Sequence, residues 1–241
     1  MRARPRFVTG ALAAAGSFLL EPAAPRADAR TQAPSGLRPI VAVFGLARGC
    51  GVTVVSRALA AELARRDAGG VAAVHCEEGA AGIPLATQGA TRLARTLADV
   101  PGADTRAVGR LCLVGGAEQA ALADTARHFA PLVLDAGAGS LGGAPAALAD
   151  RVVVVATPAT EPALASVAAE CLRRVGHEPL VALNRTGADE GNGRRTDWST
   201  RPAHRLPESK MGARLALGGR EARGELGRAV AELADLCEVP G

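Results

Sequence analysis

A chain of 241 residues is long enough for one large α/β domain or two small ones, and a hydrophobic content of 48% is sufficient to bury a core. The net charge of +4 arises within residues 1–38. Residues 39–241 carry 22 basic and 22 acidic side chains and give no bulk electrostatic reason to bind nucleic acid. Five widely spaced cysteines without a C-x-x-C pair argue against a disulfide framework and against a zinc site.

The first thirty residues have two interpretations. A basic start, MRARPR, precedes an apolar run of 14 residues, and the ADA at 27–29 has the A-x-A form of a signal cleavage site. The run is too short for a comfortable membrane span, so we expect no stable membrane insertion. We predict a disordered or signal-like tail over 1–38, a domain over 39–241 and a cytoplasmic protein. Export is the alternative.

From residue 39 onwards, short β-rich runs alternate with Ala/Leu-rich helical runs. This alternation predicts a doubly wound, mostly parallel sheet with helices on both faces. The predicted strands are Ile40–Phe44, Val71–His75, Arg110–Val114, Leu132–Asp135, Arg151–Ala156, Leu180–Asn184 and His204–Leu206. The predicted helices span 53–67, 88–98, 117–128, 141–148, 161–175 and 221–237. The polar segment 187–204 predicts a long surface loop or lid.

In such a sheet, a ligand lies outside the carboxyl ends of the strands. The first of these ends is followed by the turn GLARGCGVT (45–53) and then by a helix. Strand, glycine-rich turn and helix in that order are typical of phosphate binding, since the amides at the start of a helix point at the anion. The predicted cradle comprises Gly49, Cys50, Gly51, Val52, Thr53 and Val54. It contains no lysine.

The turn resembles that of the ParA/MinD family of deviant P-loop ATPases, and within it the CpaE/TadZ-like branch of pilus and cell-pole positioning proteins. The family pattern G-K-G-G-x-G-K-[ST]-T corresponds to residues 46–54, where Gly49, Gly51 and Thr53 match. Ala47 and Val52 stand at the two lysine positions. The resemblance therefore indicates a degenerate Walker A motif.

Further segments resemble later motifs of the same family and occur in the same order, so the resemblance covers about residues 39–238. The family's D-x-D falls on HCE (75–77), which keeps one acid at Glu77, and its Walker B run falls on 131–139, with Asp135 as the aspartate. The segment 149–158 is similar to the strand that follows. Asn184 and Arg185 resemble the base-contacting N-R pair, and LPES (206–209) with Glu208 resembles the C-terminal stretch.

The resemblance implies a weakly bound ATP or ADP with Mg²⁺. It implies that Thr53 ligates Mg²⁺ directly and Asp135 through water, with Asp135 and Glu77 as the candidate catalytic acids. It also implies nucleotide contacts from Asn184 and Glu208. Structural alternatives stay open at this point: Thr53 as a helix N-cap, Asp135 and Asn184 as turn residues, and Glu77 as a solvated acid.

The missing lysines limit the chemistry, because phosphoryl transfer depends mainly on charge neutralisation and positioning. Losing one strong transition-state donor costs about 2.7–4 kcal/mol, or on the order of a hundred- to thousandfold in rate. With Ala47 and Val52 at both positions, we expect slow or absent hydrolysis. The neighbouring Arg48 offers a positive charge, but its planar fork differs from a lysine ammonium.

We therefore expect a degenerate nucleotide-binding protein that acts in intracellular positioning, at a pilus or cell pole, at a septum or in partitioning. A slow ATPase that forms a nucleotide-controlled homodimer is one alternative. Another is a dinucleotide-binding relic of short-chain dehydrogenase type, since Gly45, Gly49 and Gly51 also have the G-x-x-x-G-x-G spacing. An active dehydrogenase of that type is excluded, because it requires a tyrosine and the chain has none. Protein partners are not identified by the sequence, and arginines between 185 and 205 leave only a local patch for DNA.

Overall fold

The computed structural model describes residues 38–67, 72–75 (backbone only), 85–138, 141, 143–187 and 203–238. The predicted tail apart from Arg38, the candidate acid Glu77 and all but the ends of the predicted loop at 187–204 lie outside these ranges. No described helix is long and apolar enough to cross a bilayer.

The described strands form one eight-stranded sheet. In chain order they are β1 (Ile40–Gly45), β2 (Ala72–His75), β3 (Asp104–Val108), β4 (Leu111–Gly115), β5 (Leu132–Ala138), β6 (Arg151–Ala156), β7 (Leu180–Thr186) and β8 (His204–Pro207). Their spatial order is β3-β4-β2-β5-β1-β6-β7-β8. Every neighbouring pair is parallel except β3 and β4. The central strands β1 (IVAVFG) and β6 (RVVVVA) consist mainly of Val, Ile and Ala and, apart from Arg151, are buried on both faces, as is usual for parallel strands.

The strand order bears on the dinucleotide alternative. In the usual dinucleotide-binding order, the first two strands of the fold are neighbours. Here β5 lies between β1 and β2, and β6 flanks β1 on its other side. The order therefore argues against a dinucleotide-binding relic, and it places the reversal of strand order beside β1, where a ligand is expected.

Helices cover both faces of the sheet, as predicted. They are α1 (Val52–Arg66), α2 (Gln88–Leu97), α3 (Gln119–Ala126), α4 (Ala144–Leu148), α5 (Pro162–Arg174), α6 (Lys210–Leu217) and α7 (Gly224–Cys237). One core cluster joins the sheet to α1, α6 and α7, and a second joins it to α2, α3, α4 and α5. Small alanines allow α1 to be buried between the sheet and the two C-terminal helices.

Two elements were missed by the sequence prediction, and the start of α4 differs from it by three residues. Strand β3 was not predicted, because DTRAV begins with three polar residues and lacks a β-branched run, as an exposed antiparallel edge strand allows. Helix α6 was also not predicted, because Gly212 interrupts a short segment. A Cβ at Gly212 would lie 2.5 Å from Leu226 Cδ2 of α7, so this glycine permits close packing of the two helices. Helix α4 begins at Ala144 instead of 141, since Gly143 has a φ of 76°.

Candidate phosphate-binding site

The backbone of the turn between β1 and α1 can receive an anion. Gly49 and Gly51 adopt left-handed conformations with φ of 75° and 91°, and Gly51 is the N-cap of α1. The first helical hydrogen bond runs from Val55 N to Gly51 O. The three preceding amides, at Val52–Val54, have no helical partner and no side-chain cap. The first turn also lacks an acidic side chain, so its positive end is open to an anionic ligand.

The side chains of Cys50 and Val52 pack into the core and not toward the amide cradle. Val52, at the position of the family's second lysine, is 7% exposed, and Cys50 is 2% exposed. Both pack against Gly45, where a Cβ would lie 2.5 Å from Val52 Cγ2 and 2.7 Å from Cys50 Sγ. The position that would carry a cation toward a phosphate is therefore part of the core. Only the backbone of Cys50 and Val52 is available to a ligand there.

Asn184, at the end of β7, holds the turn in place. Its Nδ2 donates to the Cys50 carbonyl at 2.9 Å, and its Oδ1 accepts from the Arg185 amide at 3.0 Å. The side chain is 7% exposed. Arg185 is the only non-glycine residue with a positive φ, 62°, in the described part of the chain. Asn184 thus has a positioning contact that the sequence did not reveal, and its nucleotide contact stays a prediction.

Thr53 and Asp135 offer the oxygen ligands that Mg²⁺ prefers. Because the N-cap is Gly51, the interpretation of Thr53 as the N-cap is wrong. Asp135 lies on β5 opposite Val43 of β1, and its Oδ1 accepts from the Gly137 amide at 3.1 Å. The described residues contain no cluster of three or more acidic, His or Cys side chains for a metal. Mg²⁺ would therefore need phosphate and water oxygens as further ligands.

A cleft of about 330 Å³ adjoins the turn at the carboxyl edge of the sheet. It brings together four of the predicted residues, since Gly51, Val54, Asn184 and Glu208 all line it. The other described residues of the predicted site are not part of its lining: Gly49, Cys50, Val52, Thr53 and Asp135. The remaining lining residues are Arg185, Pro207, Ser209, Lys210, Ala213, Arg214 and Leu226.

Three of these lining residues, Lys210, Ala213 and Arg214, were missed in the sequence because α6 was not predicted. Ser209 is the N-cap of α6, and its Oγ accepts from the Gly212 amide at 3.0 Å. Lys210 and Arg214 lie on the same helix. One feature of the sequence could have indicated Lys210 as a candidate site residue. It is the only lysine of the chain and directly follows the segment LPES.

Solved structures identify the fold. A ParA family ATPase from Chlorobium tepidum TLS superimposes with a TM-score of 0.53 at 14% identity, covering 82% of this chain and 98% of that chain. The MinD cell division protein of Aquifex aeolicus gives a TM-score of 0.51 at 13% identity, with coverages of 84% and 98%. The chain has the ParA/MinD-type fold. A Cyanothece McdA variant in complex with ATP gives 0.53 at 13% identity, with coverages of 86% and 99%.

Sequence comparison adds no closer relative. No protein-family model matches the chain, and no curated protein matches it. At these identities the ParA/MinD-type fold is shared, whereas the CpaE/TadZ-like branch and the activity are not decided by the likeness. The functional conclusion therefore depends on the residues of the site.

Proposed function

We propose that the chain is a degenerate ParA/MinD-like protein that binds an adenine nucleotide weakly and acts in intracellular positioning in the cytoplasm, with slow or no ATP hydrolysis. The proposal includes a homodimer, as the resemblance implies, and a CpaE/TadZ-like role at a pilus or cell pole. Septum placement and partitioning are the other positioning roles that the ParA/MinD resemblance supports.

The burial of Val52 carries this proposal. The amides of α1 and the left-handed Gly49 and Gly51 provide the backbone half of a phosphate site. The cationic side chain that would complete such a site is missing, because the position holds Val52, which packs into the core against Gly45. A cradle with open amides supports binding. The absence of its cation predicts poor stabilisation of the charge that develops on a transferred phosphoryl group.

The residues of the cradle fit ATP with Mg²⁺ in part. Amides at Val52–Val54 would hold phosphate oxygens, and the Thr53 hydroxyl would reach the metal. As the resemblance implies, Asp135 would hold a metal-bound water, and its Oδ1 also accepts from the Gly137 amide. When bound, Mg²⁺ would neutralise part of the phosphate charge. Asn184 would keep the turn in its binding conformation through the Cys50 carbonyl.

Isothermal titration with ATP, with and without Mg²⁺, tests the proposal on the full chain. We expect the wild type to bind, and we expect Thr53→Ala and Asp135→Ala to weaken binding about tenfold only when Mg²⁺ is present. This magnitude corresponds to the loss of one interaction with a charged group. Thr96→Ala is a matched control, because the Thr96 hydroxyl bonds only the Arg92 carbonyl within α2.

The outcomes separate the candidate functions. Equal absence of binding by the wild type and both variants would reduce the protein to a nucleotide-free scaffold. Measurable phosphate release that disappears in Asp135→Ala would instead favour the slow ATPase. Enhanced fluorescence of NADPH on addition of the protein would restore the dinucleotide alternative, against the strand order.

A further inference from the structure

Helix α5 has an unusual distribution of apolar side chains. Its inward face, against the sheet, consists of Pro162, three alanines and Leu172. Its outward face carries Leu164, Val167 and Val175, which are 50%, 61% and 62% exposed. A surface helix usually turns its large apolar residues inward and polar residues outward. Because a contiguous exposed apolar patch marks a contact surface on a soluble protein, the outward face of α5 is a candidate for one.

The exposed apolar residues of α5 form one row, the α5 ridge. It consists of Ala163, Val167, Cys171 and Val175, which follow one another at intervals of four residues and are all exposed. Leu164 lies beside it. Residues four apart lie on the same side of a helix, and rows of this kind form the commonest contacts between packed helices. The ridge contains no charged side chain over about three turns.

The α5 ridge is open in the described part of the chain. Helix α5 contributes to the core on the face of the sheet opposite α1. It packs on β6, and no other described helix contacts it extensively. None of its residues lines the cleft beside the turn. A partner bound to the ridge would therefore leave the amide cradle of α1 accessible.

The charges beside the ridge are self-complementary. Glu170 and Arg174 form the next row of the helix, where Arg174 Nε donates to Glu170 Oε1 at 3.3 Å. When two copies pack their ridges antiparallel about a two-fold axis, each row meets the same row of the other copy in reverse order. Glu170 then lies opposite the partner's Arg174, and the helix dipoles are also aligned favourably. Parallel packing would instead place like charges together.

We propose that the α5 ridge is a contact between two copies of this chain, paired antiparallel about a two-fold axis at Cys171. In this register Cys171 lies beside the partner's Cys171, and Val167 lies beside the partner's Val175. The inference rests on the proposed function only for the expectation of a homodimer, and the contact needs no nucleotide.

The size of the contact predicts its strength. Helix α5 has 13 residues and is about 20 Å long, so one helix pair buries less than the roughly 800 Å² per partner of a standard interface. The association is therefore weak, reversible and dependent on concentration. Cys171 stays reactive in the monomer.

A second copy fits this face better than a membrane does. Helices that lie on a membrane carry Lys and Arg beside their apolar face, because these attract anionic lipids. Three exposed acids lie along α5 and at its two ends, against two exposed arginines: Glu161, Glu170 and Glu178, with Arg173 and Arg174. The surplus of acid would be repelled by a negatively charged lipid surface.

Sedimentation equilibrium of the full chain without nucleotide tests the contact. We expect the wild type to dimerise reversibly, and we expect Val167→Asp to weaken dimerisation about tenfold or more, because its carboxylate would be buried against the partner's Val175. Val167 is exposed in the monomer, so the variant should fold normally, which thermal unfolding checks. Met211→Asp is the matched control, since Met211 is 63% exposed on α6, and it should dimerise as the wild type does.

A charge exchange tests the register. Glu170→Arg and Arg174→Glu should each weaken dimerisation about tenfold, because like charges then face each other at two symmetry-related places. The double variant with both changes restores opposite charges and should regain the wild-type affinity. Its failure to recover would overturn the register. A short bismaleimide should cross-link two copies through Cys171, and Cys171→Ser should abolish the product.

The outcomes separate this inference from the proposed function. Dimers that Val167→Asp leaves unchanged, or that form only with ATP and Mg²⁺, would overturn the inference and leave the proposed function standing. A chain that stays monomeric at all concentrations, with and without nucleotide, would overturn both the inference and the homodimer. Binding to phosphatidylserine vesicles that Val167→Asp abolishes would assign the ridge to a membrane and overturn the inference. A dimer that depends on the ridge, in a chain that fails to bind ATP, would support the inference and contradict the nucleotide.

Discussion

At the residue scale, substitution of Gly49 and of Gly51 distinguishes the cost of a left-handed backbone from the cost of a steric clash. Both have positive φ, but a Cβ at Gly49 would meet no atom within 4 Å, whereas one at Gly51 would lie 2.4 Å from Asn184 Nδ2. We expect Gly49→Ala to lower the free energy of unfolding by about 1–2 kcal/mol through the left-handed backbone alone. We expect Gly51→Ala to cost about 1–3 kcal/mol more, because Asn184 must move. Urea denaturation monitored by circular dichroism measures both.

Gly137→Ala is the control for these two variants. Gly137 has a φ of 67° and open space at its Cβ position, so its loss of stability should match that of Gly49→Ala. Equal stability of Gly51→Ala and Gly49→Ala would contradict a tight contact between Asn184 and the N-cap of α1.

The same residues show what the sequence could and could not predict. Gly49 and Gly51 stood out as turn glycines because spacing and neighbouring strand and helix patterns are local properties. The burial of Val52 was not predictable, since it depends on the missing Cβ of Gly45 across the turn. The bond from Asn184 to Cys50 joins residues 134 positions apart, and no local pattern reports such a contact.

At the element scale, a charged cluster joins the end of α1 to α7. Glu62 is buried and accepts hydrogen bonds from Arg65 and Arg66. Arg66 also reaches α7 through Asp235 Oδ1 at 2.5 Å and the Ala231 carbonyl at 2.6 Å. Burial acts to raise the pKa of Glu62, but the hydrogen bonds and charges of the two arginines outweigh it and hold this pKa below its usual value. The Glu62 carboxylate therefore orients the arginine that connects the two helices.

We expect Glu62→Gln to lower the free energy of unfolding at pH 7 by about 1–3 kcal/mol, because Arg66 loses a charged acceptor. A carboxyl whose pKa is lowered by folding stabilises the protein above its unfolded-state pKa of about 4.3, and this contribution is lost as the pH falls through the lower folded pKa. The difference between variant and wild type should therefore shrink in acid. Urea denaturation at several pH values follows it.

Glu232→Gln is the control for the charge itself, since Glu232 is an exposed acid on α7 without an ion pair among the described residues. It should leave stability within about 0.5 kcal/mol of the wild type at every pH. A constant difference between Glu62→Gln and wild type down to pH 2 would contradict the role of the ionised carboxylate.

Strands and helices were predicted correctly where the local sequence pattern was strong. They were missed where contacts with distant residues determine the structure. The valine run of β6 was predicted with its observed bounds, because four consecutive β-branched residues leave little choice. The prediction missed α6 because Gly212 weakens the helical pattern of this segment. The glycine is needed there for close packing against Leu226 of α7. The cations on α6 were lost from the predicted site for the same reason.

At the scale of the whole molecule, two large cores share one sheet, and a small third cluster contains Ala156, Ala165 and Leu183. The cluster containing Cys237 packs beneath α1, α6 and α7, and the cluster containing Cys112 packs beneath α2 to α5. Residues of β1 alternate between them, with Val41 and Val43 in one and Ile40 and Ala42 in the other. Because β1, β4, β5 and β6 contribute buried residues to both cores, neither face can lose its packing without disturbing the other.

The two buried cysteines can test this coupling. Burial raises the pKa of both the Cys112 and the Cys237 thiol to about 12, so at pH 8 each is protonated as well as inaccessible. Only Cys171 is exposed among the cysteines that the structure describes. We expect iodoacetamide to modify Cys171 in the native state and to reach Cys112 and Cys237 at one common urea concentration, that of global unfolding. Peptide mass spectrometry measures each site. Modification of Cys112 at clearly lower urea than Cys237 would show that the face formed by α2 to α5 opens by itself, and would contradict one cooperative unit.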